Sequence, residues 1–463
     1  MTHAPSSQDP SEPGRPLNGP LVLRPFARFL STANQEIACP HMRLESISGH
    51  RPPIFEGSGR LILEGTQTFR FEMQTRPQDL NTALQAINAN TERPDLQKNW
   101  LRLVCTDYSG VAWNAGYVGP RVSQSHELGW QLSGEFSGLT TDVQQKAPVS
   151  GVELAYSPAP EVPFSERITT TTRLGEHEME WRASGGRHRM TVLGSDIEIG
   201  TLSWADGLWL AARSSEALSH PYLENWLSEP LRALRGKLIY PRLVARKFDD
   251  GRAFVSVRPS PSLDQSFGGC AALLRSRMPS EFWDFYARYL TYVAEHRDKT
   301  GSPNFEANTL TRLHDEVIQA RRAGSPWVIA LTVASAVEGV LKTFPDFENV
   351  NPEFTSEDLA PIVALLPNLE DKRVRGALQA FVDRKPMPSA GGYLRRLQAA
   401  GSISKVSVAA WRDVRHKVMH GNLFDPWGME NEDERLKQLL KLFYDVTAIA
   451  IGYASVPPSV EVQ

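Results

Sequence analysis

Apolar and polar residues alternate with a period of two through the first half of the chain, from about residue 23 to residue 259. The alternation is clearest at Phe69, Phe71, Met73, Leu101, Leu103 and Cys105. A period of two places every second side chain on the same face of an extended strand, so these segments are predicted to be half-buried β-strands. Turn residues at Asp107 to Gly110 and at Asp250-Gly251 predict hairpins.

A third hairpin is predicted around Gly185-Gly186, because the alternation runs up to this pair and resumes beyond it. Many short strands, with no helical pattern before about Pro221 to Leu234, favour an antiparallel β-sandwich over a parallel sheet. The segment from Ser157 to Pro163 contains three prolines. It is either a long loop or a boundary between two β subdomains, and the sequence leaves both open.

After about Arg277 the apolar period becomes helical. Ser302-Pro303 has the chemistry of a helix start, and Thr355 with Asp358 forms a capping box. The predicted helices are Ser280 to His296, Pro303 to Arg322, Pro326 to Phe344, Glu357 to Leu366, Lys372 to Arg384, Gly392 to Ala400, Val406 to His420 and Glu430 to Tyr453. The fold class is therefore α+β and multidomain, with a β-sandwich-like module followed by an all-α bundle.

The length and composition agree with several domains in a soluble protein. The chain has 463 residues, of which 41% are hydrophobic and 22% charged, and its net charge is −3. The predicted divisions are a disordered tail (1–22), a β-rich module (23–260), a linker (261–278), a helical domain (279–455) and a second tail (456–463). No segment reaches the roughly 20 apolar residues of a membrane span, and three scattered cysteines favour a reducing compartment. The expected location is the cytoplasm.

The segment from Val406 to His420 carries the most specific chemical pattern. Trp411, Val414 and Val418 form one apolar stripe. The cations on its other faces are Arg412, Arg415, His416, Lys417 and His420, followed by Gly421 where a helix end is expected. Because a guanidinium binds a phosphate in a forked geometry and an imidazole moves protons near neutral pH, these residues are suited to RNA cleavage without a metal.

Cleavage by attack of the 2′-hydroxyl on the adjacent phosphorus needs both a base and an acid. One catalytic histidine per chain barely suffices for both roles. A homodimer that pairs two such helices would supply two histidines and two arginines, so the hypothesis requires dimerisation. Residues 371 to 420 hold eleven Lys or Arg against three Asp, and a basic stretch of this kind is typical of RNA-binding surfaces.

The run Arg415-His416-Lys417-Val418-Met419-His420-Gly421 resembles the arginine-polar-x-x-x-histidine signature of HEPN ribonuclease domains, especially the ApeA-like group of bacterial antiphage systems. The order of a β-rich region before a helical bundle is similar to that group as well. The resemblance covers roughly residues 280 to 455. It implies an endoribonuclease of abortive infection, with RNA such as tRNA as substrate, no cofactor, and a phage-derived trigger as one candidate for what the β module senses.

The resemblance assigns roles to individual residues. Arg415, His420 and His416 are the candidate catalytic residues, and Arg412, Lys417 and Asn422 are candidate contacts to the substrate. Glu338 corresponds to an acidic residue that faces the motif in an early HEPN helix. The other reading of Glu338 is a structural ion pair with an arginine of the motif helix.

Several alternatives remain open at the level of sequence. His416 and His420 have the spacing of metal ligands, although no carboxylate completes the pattern. Arg412 and Lys417 could form only a solvated face, and a second match to the spacing, at Arg121 and His126, lies among strand signals. Tryptophans of the β region are expected mainly in its core. The rival function is a recognition protein without catalysis, in which the bundle only dimerises and the β module binds a phage protein or a glycan.

Overall fold

The structure is a computed structural model of the whole chain. It describes residues 21–46, 53–77, 79–93, 95–126, 129–145, 149–164, 167–174, 177–184, 186–202, 207–261, 269–274, 279–297, 308–347, 356–384, 389–419 and 430–453. The chain divides into two compact units. The β unit comprises Met1–Ser228 with Ile239–Gln265, and the helical unit comprises Glu229–Leu238 with Ser266–Gln463.

The β unit contains sixteen described strands. They are β1 (Gln35–Ser46), β2 (Phe55–Glu64), β3 (Thr68–Thr75), β4 (Leu101–Thr106), β5 (Ala112–Val118), β6 (Arg121–His126), β7 (Gly129–Glu135), β8 (Leu139–Gln144), β9 (Gly151–Tyr156), β10 (Arg167–Leu174), β11 (His177–Ser184), β12 (Arg187–Val192), β13 (Ser195–Thr201), β14 (Leu208–Arg213), β15 (Leu243–Lys247) and β16 (Arg252–Val257).

The predicted antiparallel β-structure is confirmed, and its hydrogen bonding is more continuous than two separate sheets would give. Fourteen of the described strands form one sheet in the order β12-β13-β14-β9-β15-β16-β8-β5-β4-β1-β2-β3-β7-β6, while β10 and β11 pair apart from it. The strand β9 ends where the segment from Ser157 to Pro163 begins. This strand lies between β14 and β15 within the same sheet, so the ladder of hydrogen bonds continues past that segment.

The strand alternation correctly identifies the buried side chains. All six residues that show it most clearly are at most 4% exposed, namely Phe69, Phe71, Met73, Leu101, Leu103 and Cys105. Trp113 and Trp209 are buried as well, at 1% and 3% exposure, and Trp130 packs partly buried against the same core. Trp204 and the side chain of Trp181 lie outside the described residues.

Two of the three predicted hairpins are present. Asp107 closes the β4–β5 turn by accepting hydrogen bonds from the backbone N–H groups of Ser109 and Val111 and from the buried indole of Trp113. These bonds lower the pKa of the Asp107 carboxyl, against the burial that raises it. At the β15–β16 turn Gly251 adopts a positive φ of 83°, a conformation that costs glycine least.

The hairpin predicted at Gly185-Gly186 is wrong. The strands on either side of it, β11 and β12, pair with β10 and β13. The turn between β12 and β13 lies instead at Leu193-Gly194, where both residues have positive φ, as a two-residue hairpin loop often requires. Alternation fixes which residues share a face, but it does not decide which neighbouring strand forms the ladder.

A helix that the sequence pattern did not predict lies within the β unit. The helix α1 (Leu80–Glu92) is polar and buries only Ala83 and Asn90. Its start is fixed by Asp79, whose side chain accepts from the backbone N–H of Asn81 at 3.0 Å. A helix with so few buried apolar residues leaves no clear period of 3.6 in the sequence. The predicted helix at Pro221 to Leu234 is present as α2 (Leu223–Trp226) and α3 (Glu229–Arg235).

All eight helices predicted for the C-terminal region are present. They are α4 (Pro279–Glu295), α5 (Thr309–Ala323), α6 (Pro326–Leu341), α7 (Ser356–Leu365), α8 (Lys372–Arg384), α9 (Ala390–Ala399), α10 (Lys405–Met419) and α11 (Glu430–Ala450). The start predicted at Ser302-Pro303, the Thr355–Asp358 box and the tail before Leu21 fall outside the described residues. The described start of α5 is capped by Asn308, whose side chain accepts from Thr311 N–H.

The division into units differs from the predicted boundaries at two places. The segment Glu229–Leu238, assigned above to the β-rich module, belongs to the helical unit. The segment Gly269–Leu273, assigned above to a linker, forms a short 3₁₀ helix that packs against α3 and α11 and in which Cys270 is fully buried. Both assignments followed sequence order, whereas the unit is decided by the packing of α3 against α4 and α5 and of the 3₁₀ helix against α3 and α11. Among the described helices, none has the length and apolarity that crossing a bilayer takes.

Candidate functional site

The motif helix α10 is held in the bundle by one buried stripe. Its buried residues are Ser407, Ala410, Trp411, Val414 and Val418, so the stripe predicted from Trp411, Val414 and Val418 is confirmed. This stripe packs against α6 and α11. The Ser407 hydroxyl also lies 3.0 Å from the Gln438 side-chain oxygen on α11. Arg415 and Lys417 flank this stripe, whereas Arg412 and His416 are exposed on the side of α10 that faces away from it.

Two polar contacts fix α10 against α6. The Trp411 indole N–H donates to the backbone carbonyl of Ala334 at 3.2 Å. One turn further along both helices, the Arg415 Nε atom donates to a carboxylate oxygen of Glu338 in an ion pair. Since each contact advances by four residues on both helices, α6 and α10 run in the same direction where they meet. The Glu338–Arg415 pair considered from the sequence is thus present.

The guanidinium of Arg415 combines restraint with exposure. Its central carbon lies 5.6 Å from the centre of the Trp411 ring, in a cation–π contact. The side chain is 45% exposed, and the partner Glu338 is 25% exposed. Within the described part of the chain, the two terminal Nη atoms make no hydrogen bond. Arg415 is therefore anchored at its Nε while the forked end of its side chain reaches solvent.

The other cations of the motif helix differ in how they are engaged. Lys417 forms an ion pair with Glu432 on α11, a carboxylate with only 7% of its side chain exposed. Arg412 is 76% exposed and lies 3.7 Å from its neighbour Asp413. His416 is exposed as well. Lys417 thus has a structural role in joining α10 to α11, whereas Arg412 and His416 lie on the open face.

His420 and Asn422 lie outside the described residues. The described part of α10 ends at Met419, directly before His420 in the sequence. The geometry that relates His420 to Arg415 or to His416, including the metal-binding alternative, is consequently not described by the structure. The described residues contain no cluster of three or more His, Cys, Asp or Glu side chains suited to a metal ion.

The basic stretch from residue 371 to residue 420 covers three helices, α8, α9 and α10. Its exposed cations on the described residues include Lys372, Arg373, Arg395, Lys405 and Arg412. Arg396 on α9 is held by Asp346 at 2.5 Å and lies 4.2 Å over the Tyr393 ring. Because α9 packs against α10, part of this positive charge lies on the helix next to the motif.

Sequence reasoning did not identify Glu432 and Ala334 as partners of the motif helix. Neither residue could have been found from the spacing of residues along one helix, because each contacts α10 from a different helix. The match at Arg121 and His126 lies in the strand β6. The second spacing match therefore does not have the helical setting of the first. Comparison with family models, with curated proteins and with solved structures found no match to this chain.

Proposed function

We propose that the helical unit is a HEPN-type endoribonuclease that cleaves RNA without a metal ion and acts in antiphage defence in the cytoplasm. The observation that carries the proposal is the state of Arg415. It is held by Glu338 and Trp411 at the end of a helix, while its forked end is open to solvent. In the sequence, His420 follows Met419, the last described residue of this helix.

The proposed chemistry uses these two side chains in one step. An imidazole takes the proton of the ribose 2′-hydroxyl, the O2′–P bond forms, the P–O5′ bond breaks, and a second proton is delivered to the leaving O5′. The guanidinium of Arg415 stabilises the charge that develops on the non-bridging phosphate oxygens. No carboxylate cluster is needed for this step, and its products are a 2′,3′-cyclic phosphate and a 5′-hydroxyl.

A homodimer supplies the second proton-transfer group in this proposal. His420 of one chain would act as the base and His420 of the other chain as the acid. The dimer with twofold symmetry is the commonest assembly, and its symmetry can place identical helices opposite each other. His416, exposed on the same helix, is the secondary candidate for a proton carrier. Arg412 contributes positive charge for RNA, such as tRNA, on the open face. Asn422, two residues after His420 in the sequence, is a further candidate contact to the RNA. The β unit would regulate this activity in response to phage.

One observation favours the second candidate, a recognition protein without catalysis. Arg415 and Lys417 both have carboxylate partners, Glu338 and Glu432, so two of the motif cations have a structural role already. In this case the helical unit only dimerises, and the β unit binds a phage protein or a glycan. The two candidate functions differ in whether substitution of Arg415 or His420 changes the cleavage of RNA.

The deciding experiment is RNA cleavage by the purified full chain, measured on total RNA and tRNA. We expect Arg415→Ala and His420→Ala each to reduce cleavage at least a hundredfold, while Arg412→Ala, a matched change at a more exposed arginine, reduces it only a few fold. Circular dichroism and light scattering should show unchanged folding and mass. The nuclease proposal would be refuted if the Arg415→Ala, His420→Ala double variant still cleaved RNA. If the wild type did not cleave RNA even during phage infection, the result would favour the recognition protein.

A further inference from the structure

The helices α7 and α8, residues 356–384, form a helical hairpin that buries few of its side chains. They pack mainly against each other and against the 3₁₀ turn Leu366–Asn368 between them. Among the described side chains of the hairpin, the buried ones are Leu359, Leu366 and Val382, whereas α6 alone buries seven residues. Helices this short are marginally stable in water without packing partners, so the hairpin needs a further surface to cover it.

Four large apolar side chains of the hairpin are exposed to solvent. Val363, Leu365, Val374 and Phe381 each have at least 36% of their surface exposed. Val374 and Phe381 are seven residues apart on α8, so they lie on one stripe of that helix. Exposed apolar side chains that gather on one pair of helices mark an interaction site.

The two helices of the hairpin carry opposite charges. Residues 356–371, which comprise α7 and the turn, contain four acidic residues and neither Lys nor Arg, whereas α8 contains four basic residues and one acid. Three of the basic residues, Lys372, Arg373 and Arg375, lie in the first four positions of α8. The free N–H groups at a helix start favour acidic side chains instead. These cations therefore cost α8 some stability unless carboxylates from elsewhere pair with them.

Partner carboxylates for these cations are missing from the described part of the chain. Lys372 and Arg373 are exposed and form no ion pair there. The adjacent Asp371 caps α8 by accepting from the backbone N–H of Arg373 at 2.8 Å. Glu357, at the start of α7, is exposed and has no ion pair among the described residues either. The hairpin thus presents an acidic group and a basic group that do not neutralise each other.

We propose that this hairpin binds the hairpin of a second copy of the chain and forms a four-helix bundle with it. Helices joined by a short turn are antiparallel neighbours, so the starts of α7 and α8 lie at opposite ends of the hairpin. A twofold axis perpendicular to the helices brings the start of α7 of one chain beside the start of α8 of the other, and it does so twice. Each acidic end then meets a basic end, and the exposed apolar side chains are covered between the hairpins.

The charges favour a second copy over other occupants. RNA would meet the acids of α7 as well as the cations of α8. The hairpin as a whole has five acidic and four basic residues, so an anionic membrane surface would attract it little. A second copy pairs both signs at once. The inference deepens the proposed function, because it locates the dimer that the nuclease requires, yet none of its observations concerns RNA.

The first test is the mass of the purified full chain, measured by sedimentation velocity over a dilution series. We expect a dimer, and Val374→Glu should raise its dissociation constant about a hundredfold, because the change places two carboxylates in an apolar interface. The matched control is Val328→Glu on α6, where the valine is 39% exposed. Each valine is the third residue of its helix, and its N–H is bound by a capping side chain, Asp371 or Ser325. The control should leave the mass unchanged, and circular dichroism should show both variants folded.

A charge exchange tests which ends meet. Lys372→Glu with Arg373→Glu makes the start of α8 acidic, and Glu357→Lys with Asp358→Lys makes the start of α7 basic. Each double variant alone brings like charges together and should be largely monomeric. A mixture of the two should form a heterodimer, because every altered end then meets an end of opposite charge.

Three results would overturn the proposal. The first is a wild-type chain that stays monomeric at the highest concentration reached. The second is a dimer that Val374→Glu leaves intact, which would place the interface elsewhere. The third is a loss of affinity for RNA or anionic vesicles in Lys372→Glu, Arg373→Glu without a change in mass, which would assign the cations to that occupant. Failure of the nuclease proposal would instead appear as a dimer that Val374→Glu dissociates but that does not cleave RNA.

Discussion

Arg415 on α10 pairs with Glu338 on α6 one helical turn beyond the point where the Trp411 indole binds the Ala334 carbonyl. The two contacts together set both the distance and the rotation of α10 relative to α6. The indole bond is buried, whereas the ion pair is partly exposed. The first contact therefore holds the helix, and the second mainly directs one side chain.

Removal of the Glu338 carboxylate should affect chemistry more than stability. Glu338→Ala frees Nε of Arg415, so the guanidinium samples more orientations, and we expect roughly tenfold slower RNA cleavage at saturating RNA. A partly exposed ion pair contributes only about 0 to 1 kcal/mol, so the melting temperature should change little. Steady-state kinetics separate kcat from KM. Glu316→Ala, at an exposed acid of α5, is the control, and an unchanged kcat in Glu338→Ala would exclude the positioning role.

The proposed reaction requires no divalent ion. Cleavage should continue in EDTA and leave 2′,3′-cyclic phosphate ends, because the groups assigned to it are a guanidinium and imidazoles. End-labelling before and after treatment with a cyclic phosphodiesterase measures the product. A strict Mg²⁺ requirement with 3′-hydroxyl ends would mean that other residues carry the reaction.

Substitution of the buried Arg242 should strongly destabilise the β unit. Arg242 is fully buried, and it donates to the carbonyl oxygens of Phe29 at 2.9 Å, Thr66 at 3.0 Å and Arg258 at 2.8 Å. Burial lowers its pKa to about 10. Arg242→Met leaves these buried carbonyls without a donor, which should lower the free energy of unfolding by about 3 to 5 kcal/mol.

Denaturant unfolding, monitored by tryptophan fluorescence, measures the loss of unfolding free energy in Arg242→Met. The matched control is Arg43→Met, at an exposed arginine of β1, for which the change should stay within about 0.5 kcal/mol. Arg242→Lys should recover little, since an ammonium cannot reach three carbonyls in the fork geometry of a guanidinium. Equal stabilities for the two methionine variants would contradict the assigned role of Arg242.

Glu229 should make the helical unit less stable as the pH rises. Its carboxylate is 1% exposed and accepts from Asn308 at 3.0 Å and from Thr311 at 2.5 Å. Burial raises its pKa from 4.5 to about 7. Between these values the folded state holds a proton that the unfolded state has lost, so the free energy of unfolding should fall by about 3 kcal/mol as the pH rises through this window.

The buried His314 acts in the opposite direction, so the effect of Glu229 must be isolated by substitution. Burial lowers the pKa of His314 to about 3, and its contribution to stability is lost as the pH falls from the ordinary histidine range. The measurement is the difference in unfolding free energy between the wild type and Glu229→Gln from pH 4.5 to pH 7. A difference that does not change with pH would show that Glu229 stays ionised when folded.

A fragment that begins at Arg277 should fold poorly. It lacks α3, which supplies Glu229 to α5, and it lacks the 3₁₀ helix that buries Cys270. Near-ultraviolet circular dichroism should show weak tertiary structure for residues 277–463. Residues 266–463 mixed with a peptide of residues 229–238 should recover more of it. Cooperative unfolding of the shorter fragment alone would show that α3 is dispensable.

The order of two architectures and most of their elements follows from the sequence alone. Strand alternation identified buried residues such as Phe71 and Leu103, and helical spacing identified the stripe of α10, because both depend on which side of one element is apolar. The polar helix α1 was not predicted, because it buries only Ala83 and Asn90 and therefore has no clear apolar side. The motif residues themselves were also found from local sequence.

The tertiary structure decided which elements meet. Three examples are the partner strands of β11 and β12, the pairing of Glu338 with Arg415 and the ion pair of Lys417 with Glu432, each of which joins positions on different elements. A periodic pattern records the faces of one helix or strand. Such a pattern contains no information about the contacts between two helices or strands, because these depend on how the whole chain packs.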